Sequence, residues 1–327
     1  MTRRRTKPKR KLGDEGGQDH FKPAHLAASI LRPYELEWSE GKGMGVIATR
    51  DIKAGELILK ETPFLVSTPD NDWPTLQEAI NNLSPYQKAM FDSHCTSTPY
   101  DHLPKPLNVF KTNAFRLSMH TQQAGLFDEG SRFNHSCRPD CSSHWDEEQG
   151  VRWFIANREI RKGEEIEISY GDIRGAKSER QEWLKTTFGF ECACEACSYS
   201  DKQTSESDRR RLEIMKIEAS AARCRLFPLE LIKKVNIGLK LLEEEGIVLG
   251  AASLAFEALI ICVWFGERMN GIRWIYRTLE LMSREFGMWS TRYKGVEAWI
   301  GEPTLHPSWN DACSQMGIPS KVLAGPE

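Results

Sequence analysis

The 327-residue chain has no run of about 18 consecutive apolar residues, the length a helix needs to cross hydrocarbon, so no membrane span is expected. Charge, not an apolar stretch, follows the first methionine, and no secretory leader is expected either. The nine cysteines therefore read as thiols or metal ligands in a reducing compartment, not as a disulfide framework. A dinucleotide site is not expected either. Gly43-Met44-Gly45-Val46-Ile47-Ala48 fits G-x-G-x-x-A by letter, but β-favouring residues follow it and Gly55 interrupts soon after. That fingerprint needs a helix whose N-terminus meets the phosphate. What the glycines do offer is bare backbone, suited to a plain hairpin turn or to close approach by a ligand.

With 40% hydrophobic and 28% charged residues, the chain can build a sizeable core. Its length suggests about two domains at ~150 residues each. Residues 1–11 hold Arg3, Arg4, Arg5, Lys7, Lys9, Arg10 and Lys11 and no acid, a charge of +7. The whole chain carries −2, so the remainder carries −9 and is no polyanion-binding surface. Like charges repel, and Pro8 and Gly13–Gly17 resist helix, so residues 1–24 read as a disordered basic tail. Such a tail suits nuclear import, a nucleic-acid arm or plain solvation.

Short β-rich runs punctuated by glycine fill residues 34–59: Tyr34–Trp38, Val46–Ala48 and Leu57–Leu59. Two short helical patterns follow, after Asp72 and Ser84, and mark an insertion at about 67–107. Strands resume with Val151–Ala156 and Ile166–Tyr170, separated by a turn at Arg161–Glu164. A helix is predicted over Ser178–Thr187 with Ser178 as its cap. Asp201–Asp208, polar and serine-rich, is the linker expected at 201–209. From residue 210 onward the pattern is helical. Pro228 opens one helix with a stripe of Leu231, Ile232, Val235, Leu239 and Leu242, and Gly246 stops it. Leu249–Phe265 and Ile272–Phe286 have the lengths of a helical-repeat hairpin, although one copy is also satisfied by a plain bundle.

Cys192, Cys194 and Cys197 place three thiolate donors within six residues. Zinc takes four such ligands in a tetrahedron, and Cys137 or Cys141 is the candidate for the fourth. A redox dithiol is the competing reading. Cys95, Cys224, Cys262 and Cys313 lack partners at ligand spacing and read as buried thiols.

Four motifs in order then carry a resemblance. Arg132-Phe133-Asn134-His135-Ser136-Cys137-Arg138-Pro139-Asp140-Cys141 resembles the N-H-S-C-x-P-N signature of SET-domain protein lysine methyltransferases. Lys42-Gly43-Met44-Gly45 resembles their cofactor loop. The stretch from Gly163 to Asp172 resembles G-E-E-L-x-I-x-Y-x-D, and Phe190 to Cys197 resembles the post-SET zinc segment. The likeness is to the SET and MYND subgroup and its fungal relatives, which split SET by an insertion and end in a repeat-like helical domain. A MYND finger needs about seven cysteines and a histidine, and residues 67–107 hold only Cys95, so that finger is absent. Asp140 stands where the family has Asn.

The resemblance implies an α+β fold. A mainly β, pseudoknotted SET domain (β-clip) would span 25–175, a zinc-binding post-SET segment 176–200, and an α-helical, TPR-like domain 210–327. It implies transfer of methyl groups from S-adenosylmethionine to a lysine of a histone or another protein. Lys42, Gly43, Met44, Gly45, Asn113, Asn134, His135, Tyr170 and Phe190 would line the cofactor. Phe188 and Phe190 would line the lysine channel, Tyr170 would be catalytic, and Cys137, Cys192, Cys194 and Cys197 would hold Zn2+. The expected partner is a protein substrate, with no membrane, nucleic-acid contact only through the basic tail, a monomeric state, and a nuclear or cytoplasmic location. A SET domain that only binds in chromatin and a zinc-dependent nucleic-acid binder are the rival readings.

Overall fold

Alternation before Gly41 and β-favouring residues after it yield an antiparallel hairpin of β1 (Tyr34–Ser39) and β2 (Gly43–Ala48). The computed structural model describes residues 32–68, 73–118, 121–221, 227–311 and 325–326, so the expected basic tail lies outside the described residues. On one hairpin face Tyr34 and Leu36 oppose Ala48 and Val46 and enter the core; Gly45 lies on the other face, opposite Glu37. Gly43 turns the chain at φ 87°, in the left-handed region that favours glycine.

The next sheet has the order β3-β8-β7, all antiparallel, from β3 (Leu57–Glu61), β7 (Cys141–Asp146) and β8 (Val151–Ala156). A third small sheet orders β4-β6-β5, from β4 (Leu65–Ser67), β5 (Phe115–Arg116) and β6 (Ala124–Leu126). Between β4 and β5 runs the helical insertion: α1 (Trp73–Asn81), α2 (Pro85–Asp92) and α3 (Lys105–Asn113). It extends past the expected end at 107 because α3 buries Val109 and Phe110 against Leu76, Phe91 and Leu126. Ser84 caps α2 through a capping box with Gln87.

The Ile166–Tyr170 stretch makes no regular ladder. Instead residues 164–168 lie between two other segments. Ile166 N donates to the Val46 carbonyl at 2.7 Å on one side, and Ile168 N to the Asn134 carbonyl at 2.9 Å on the other. His135 and Ile168 pair in parallel.

The helical region comprises α4 (Lys177–Phe188), α5 (Asp201–Ala221), α6 (Pro228–Glu245), α7 (Ala251–Trp264), α8 (Arg268–Glu285) and α9 (Thr291–Glu297). Two expectations are corrected here. Ser178 does not cap α4: Ala176 takes that place, and its N–H donates to the Glu179 carboxylate at 2.9 Å. Residues 201–209 are not a linker but the first turns of α5. Their face toward the protein is buried by polar contact, with Ser207 Oγ donating to the Glu245 carboxylate at 2.6 Å, so no apolar stripe announced the helix. α6 follows its sequence signals, from Pro228 to a left-handed Gly246. α7 and α8 form the expected helix pair, joined by a tighter turn at Phe265–Glu267.

This region docks on the β3-β8-β7 sheet. Trp153 stacks on Trp289 at 5.9 Å, His144 meets the Phe286 ring at 4.8 Å, and the Asp146 carboxylate accepts from Thr291 N at the start of α9. No helix among the described residues is long and apolar enough to cross a membrane.

Candidate active site and metal centre

The site is built where residues 43–48, 133–137 and 164–170 run side by side. Ser136 N donates to the Ile168 carbonyl, and Asp140 N and Cys141 N both donate to the Glu167 carbonyl. Asp140, the departure from the family's Asn, is tied into the same place as an acceptor: its carboxylate accepts from Glu167 N at 3.1 Å and pairs with Arg158 at 2.8 Å.

Tyr170 is held at both ends. Its hydroxyl donates to the Phe133 carbonyl at 2.9 Å and its N–H donates to His135 Nδ1 at 3.1 Å. Since His135 Nδ1 accepts, the ring proton sits on Nε2, which faces Cys137 Sγ at 3.4 Å. Burial pushes the His135 pKa down to about 4, so the ring is neutral at physiological pH. Burial likewise pushes the Tyr170 phenol above its ordinary value, so it stays protonated and acts as a donor. His135 thus spends its side chain joining Tyr170 to the cysteines.

Around the phenol stand aromatic rings: Phe188 at 4.9 Å, His135 at 5.2 Å and Phe190 edge-on at 6.4 Å. α4 delivers Phe188, and Gly189, left-handed at φ 79°, turns the chain so that Phe190 returns toward the same place. Trp183, not singled out from sequence, packs edge-on against Phe188 at 5.4 Å. Gly171 admits it, because a Cβ there would collide with the indole.

On the hairpin side, Gly45 faces Asn134 and Glu165. A Cβ on Gly45 would stand 3.1 Å from Asn134 Nδ2 and collide with the Glu165 carboxylate, so the glycine leaves a backbone-lined cradle. Asn134 Nδ2 donates to Glu165 at 2.7 Å and lies 3.4 Å from the Met44 carbonyl. Lys42 Nζ bridges Glu165 at 2.9 Å and Glu167 at 2.7 Å. Burial works against the Lys42 charge, but the two carboxylates outweigh it and raise its pKa; burial pushes Glu167 up to about 7. Asn113 ends α3, where its Nδ2 donates to the Cys95 and Val109 carbonyls at 2.8 and 2.7 Å. Its side chain is engaged inside the insertion. Cys95 beside it is exposed, not buried as expected; Cys262 is buried, and Cys224 and Cys313 lie outside the described residues.

The sulfurs of Cys137, Cys192, Cys194 and Cys197 all lie within 4.8 Å of one another. Zn–S bonds of about 2.3 Å set the edges of a regular sulfur tetrahedron near 3.8 Å. Cys137 and Cys197 stand 3.7 Å apart. The donor set therefore fits a tetrahedral soft-ligand ion. Cys141 stands outside it: the first residue of β7, it is buried in the β core. The Cys137 N–H donates to Cys194 Sγ at 3.3 Å, and Gln181 of α4 clamps both backbone groups of Cys192, at 2.6 and 2.9 Å.

Residues 43–171 match the family model described as SET domain. The chain carries a SET domain. Among its relatives is the histone-lysine N-methyltransferase set5 of Schizosaccharomyces pombe, 28% identical over 84% of this chain and 88% of that protein. A putative SET domain-containing protein of Acanthamoeba polyphaga mimivirus is 29% identical over 49% of this chain and 76% of that protein. Histone-lysine N-methyltransferase SMYD3 of Mus musculus is 34% identical over 31% of this chain and only 25% of that protein. The SET-domain match and the helical C-terminal region agree with the expected architecture.

The structure brings Tyr170, His135, Phe188 and Phe190 into one aromatic cluster, and Lys42, Gly45 and Asn134 around Glu165. Glu165 and Glu167 belong to a motif noticed from sequence, yet only folding reveals them as partners of Lys42.

Proposed function

We propose that this chain is an S-adenosylmethionine-dependent protein-lysine N-methyltransferase acting on a histone or another protein, with Zn2+ held by Cys137, Cys192, Cys194 and Cys197. The observation that carries this reading is Tyr170: a protonated phenol, fixed at its hydroxyl and its N–H, inside a ring of aromatic side chains. The cofactor, when bound, would supply a sulfonium-borne methyl group for in-line displacement by the substrate amine.

The chain's own residues would do the positioning. A free lysine has a pKa near 10.4 and is only ~0.04% neutral at pH 7. Phe188, Phe190 and the Tyr170 ring offer apolar surroundings that disfavour the charged form and so favour the nucleophilic one. The Tyr170 hydroxyl would orient the reacting groups by hydrogen bonding and geometry, since a phenol held above its ordinary pKa does not take the proton. Gly45 and the Met44 carbonyl would accept the cofactor's approach, and Asn134, with both donor and acceptor atoms, suits its amino-acid end. Zn2+ would fix Phe190 and the Cys192–Cys197 turn against the Asn134–Cys137 segment. A nuclear or cytoplasmic location belongs to the same proposal.

Tritiated methyl transfer to a histone panel and to cell-lysate proteins, comparing wild type with Tyr170→Phe, tests it. Signal from wild type that collapses in the variant supports the reading. Background-level signal from both, with no heat from cofactor binding in calorimetry, overturns it in favour of a binding module.

A further inference from the structure

Two guanidinium groups are buried beside the four cysteines, and the methylation chemistry uses neither. Arg211 of α5 is fully buried. Its Nη2 donates to the Cys137 carbonyl at 3.1 Å, its Nη1 to the Ile173 carbonyl, and its Nε to the Glu245 carboxylate at 2.8 Å and Ser207 Oγ at 3.2 Å. Arg180 of α4 is 3% exposed. Its Nη1 donates to the Gly175 carbonyl at 2.6 Å, the nearby Cys137 and Cys197 favour its charged form electrostatically, and its Nε has no hydrogen-bond partner. The Asp208 carboxylate is 3.7 Å away and partly solvated.

Buried charge is costly unless compensated. Four thiolates around a divalent cation leave a charge of −2, and two buried arginines supply +2. Glu245 does not cancel this, because Arg210 also meets its carboxylate, at 2.5 Å. We infer that Arg180 and Arg211 are the built-in counter-charge of the four-cysteine centre, and that Arg211 makes the helical C-terminal region part of that centre. Arg211 reaches the chain two residues beyond His135 and three beyond Tyr170. One side chain of the helical region thus grips both the metal-ligand loop and the segment that follows Tyr170. This inference rests on reading the cluster as a zinc site.

The test uses the full-length, zinc-loaded protein and its Arg180→Met, Arg211→Met, Arg211→Lys and Glu245→Gln variants. Zinc affinity is read by competition with a chromophoric chelator, and folding by circular dichroism. Partners that surround metal ligands are worth about 10- to 100-fold in affinity, and the two methionine variants are expected to lose that much. Arg211→Lys recovers part of it by restoring the charge. Glu245→Gln removes a negative charge while keeping both arginines, so it retains or tightens zinc even as its melting temperature falls. Folded methionine variants with wild-type zinc affinity overturn the inference, as does loss of zinc from Glu245→Gln in step with its stability. If Arg211→Met does not fold, Arg180→Met and Glu245→Gln decide. Failure of the underlying zinc reading looks different: the wild-type protein would itself hold no zinc and take up none.

Discussion

The Tyr170 hydroxyl donates to the Phe133 carbonyl across 2.9 Å, so the one phenol aimed into the aromatic cluster is anchored to the segment that carries Asn134 and His135. Tyr170→Phe keeps the ring and its contacts but orphans that carbonyl. The stability cost is expected near 1 kcal/mol, measured by thermal unfolding. Methyl transfer is expected to fall about 10²- to 10³-fold, the scale for one preorganised polar group, while calorimetry still detects the cofactor. Retained turnover would remove Tyr170 from the chemistry.

Gly45 tests the cradle. Its φ is not in the left-handed region, so alanine brings no backbone strain, yet the new Cβ collides with Glu165 and crowds Asn134. Gly45→Ala should keep its circular dichroism spectrum and lose cofactor binding in calorimetry. Unchanged affinity would place the cofactor elsewhere.

The choice between two nearby cysteines gives a sharp pair of variants. Cys137→Ser removes a member of the sulfur cluster and should purify with much less zinc, measured by atomic absorption; Cys141→Ser should keep it. Chelation of the wild-type protein should weaken the Tyr170 site as well, because His135 joins the Tyr170 N–H to Cys137. Equal zinc loss from both variants would contradict the geometry.

His144 predicts a pH dependence of the docking between sheet and helices. Burial, with Arg292 and Arg152 nearby and Asp146 opposing them, holds its pKa down to about 4 against an ordinary 6.5. The unfolded chain therefore binds more protons between those values, and stability rises with pH across that window. The contribution is complete above pH 6.5 and is lost as pH falls toward 4, amounting to at most about 3 kcal/mol. In His144→Phe, which keeps the aromatic contact with Phe286, the melting temperature should fall less between pH 6.5 and 4.5 than in wild type. Parallel curves would locate the pH dependence in other groups.

The features legible in the sequence alone depend on near neighbours. The hairpin about Gly41–Gly43, the helical pattern after Ser84, the helix from Pro228 to Gly246 and the tight spacing of Cys192, Cys194 and Cys197 are set by residues within a few positions of one another, where steric and hydrogen-bonding rules act without the rest of the fold. Tertiary structure alone decided what lies far along the chain. By spacing alone Cys137 and Cys141 are equivalent, and the resemblance named Cys137; the path of the chain turns the first toward the sulfurs and the second into the β core. Residues 201–209 looked like a linker because their helix buries serine and arginine against Glu245, a contact spanning more than thirty residues that no local hydrophobic pattern can reveal. Asn113 turns inward to Cys95, and His135 joins Tyr170 to Cys137, for the same reason: a polar side chain takes whichever partner folding brings within reach, and a buried one must take it.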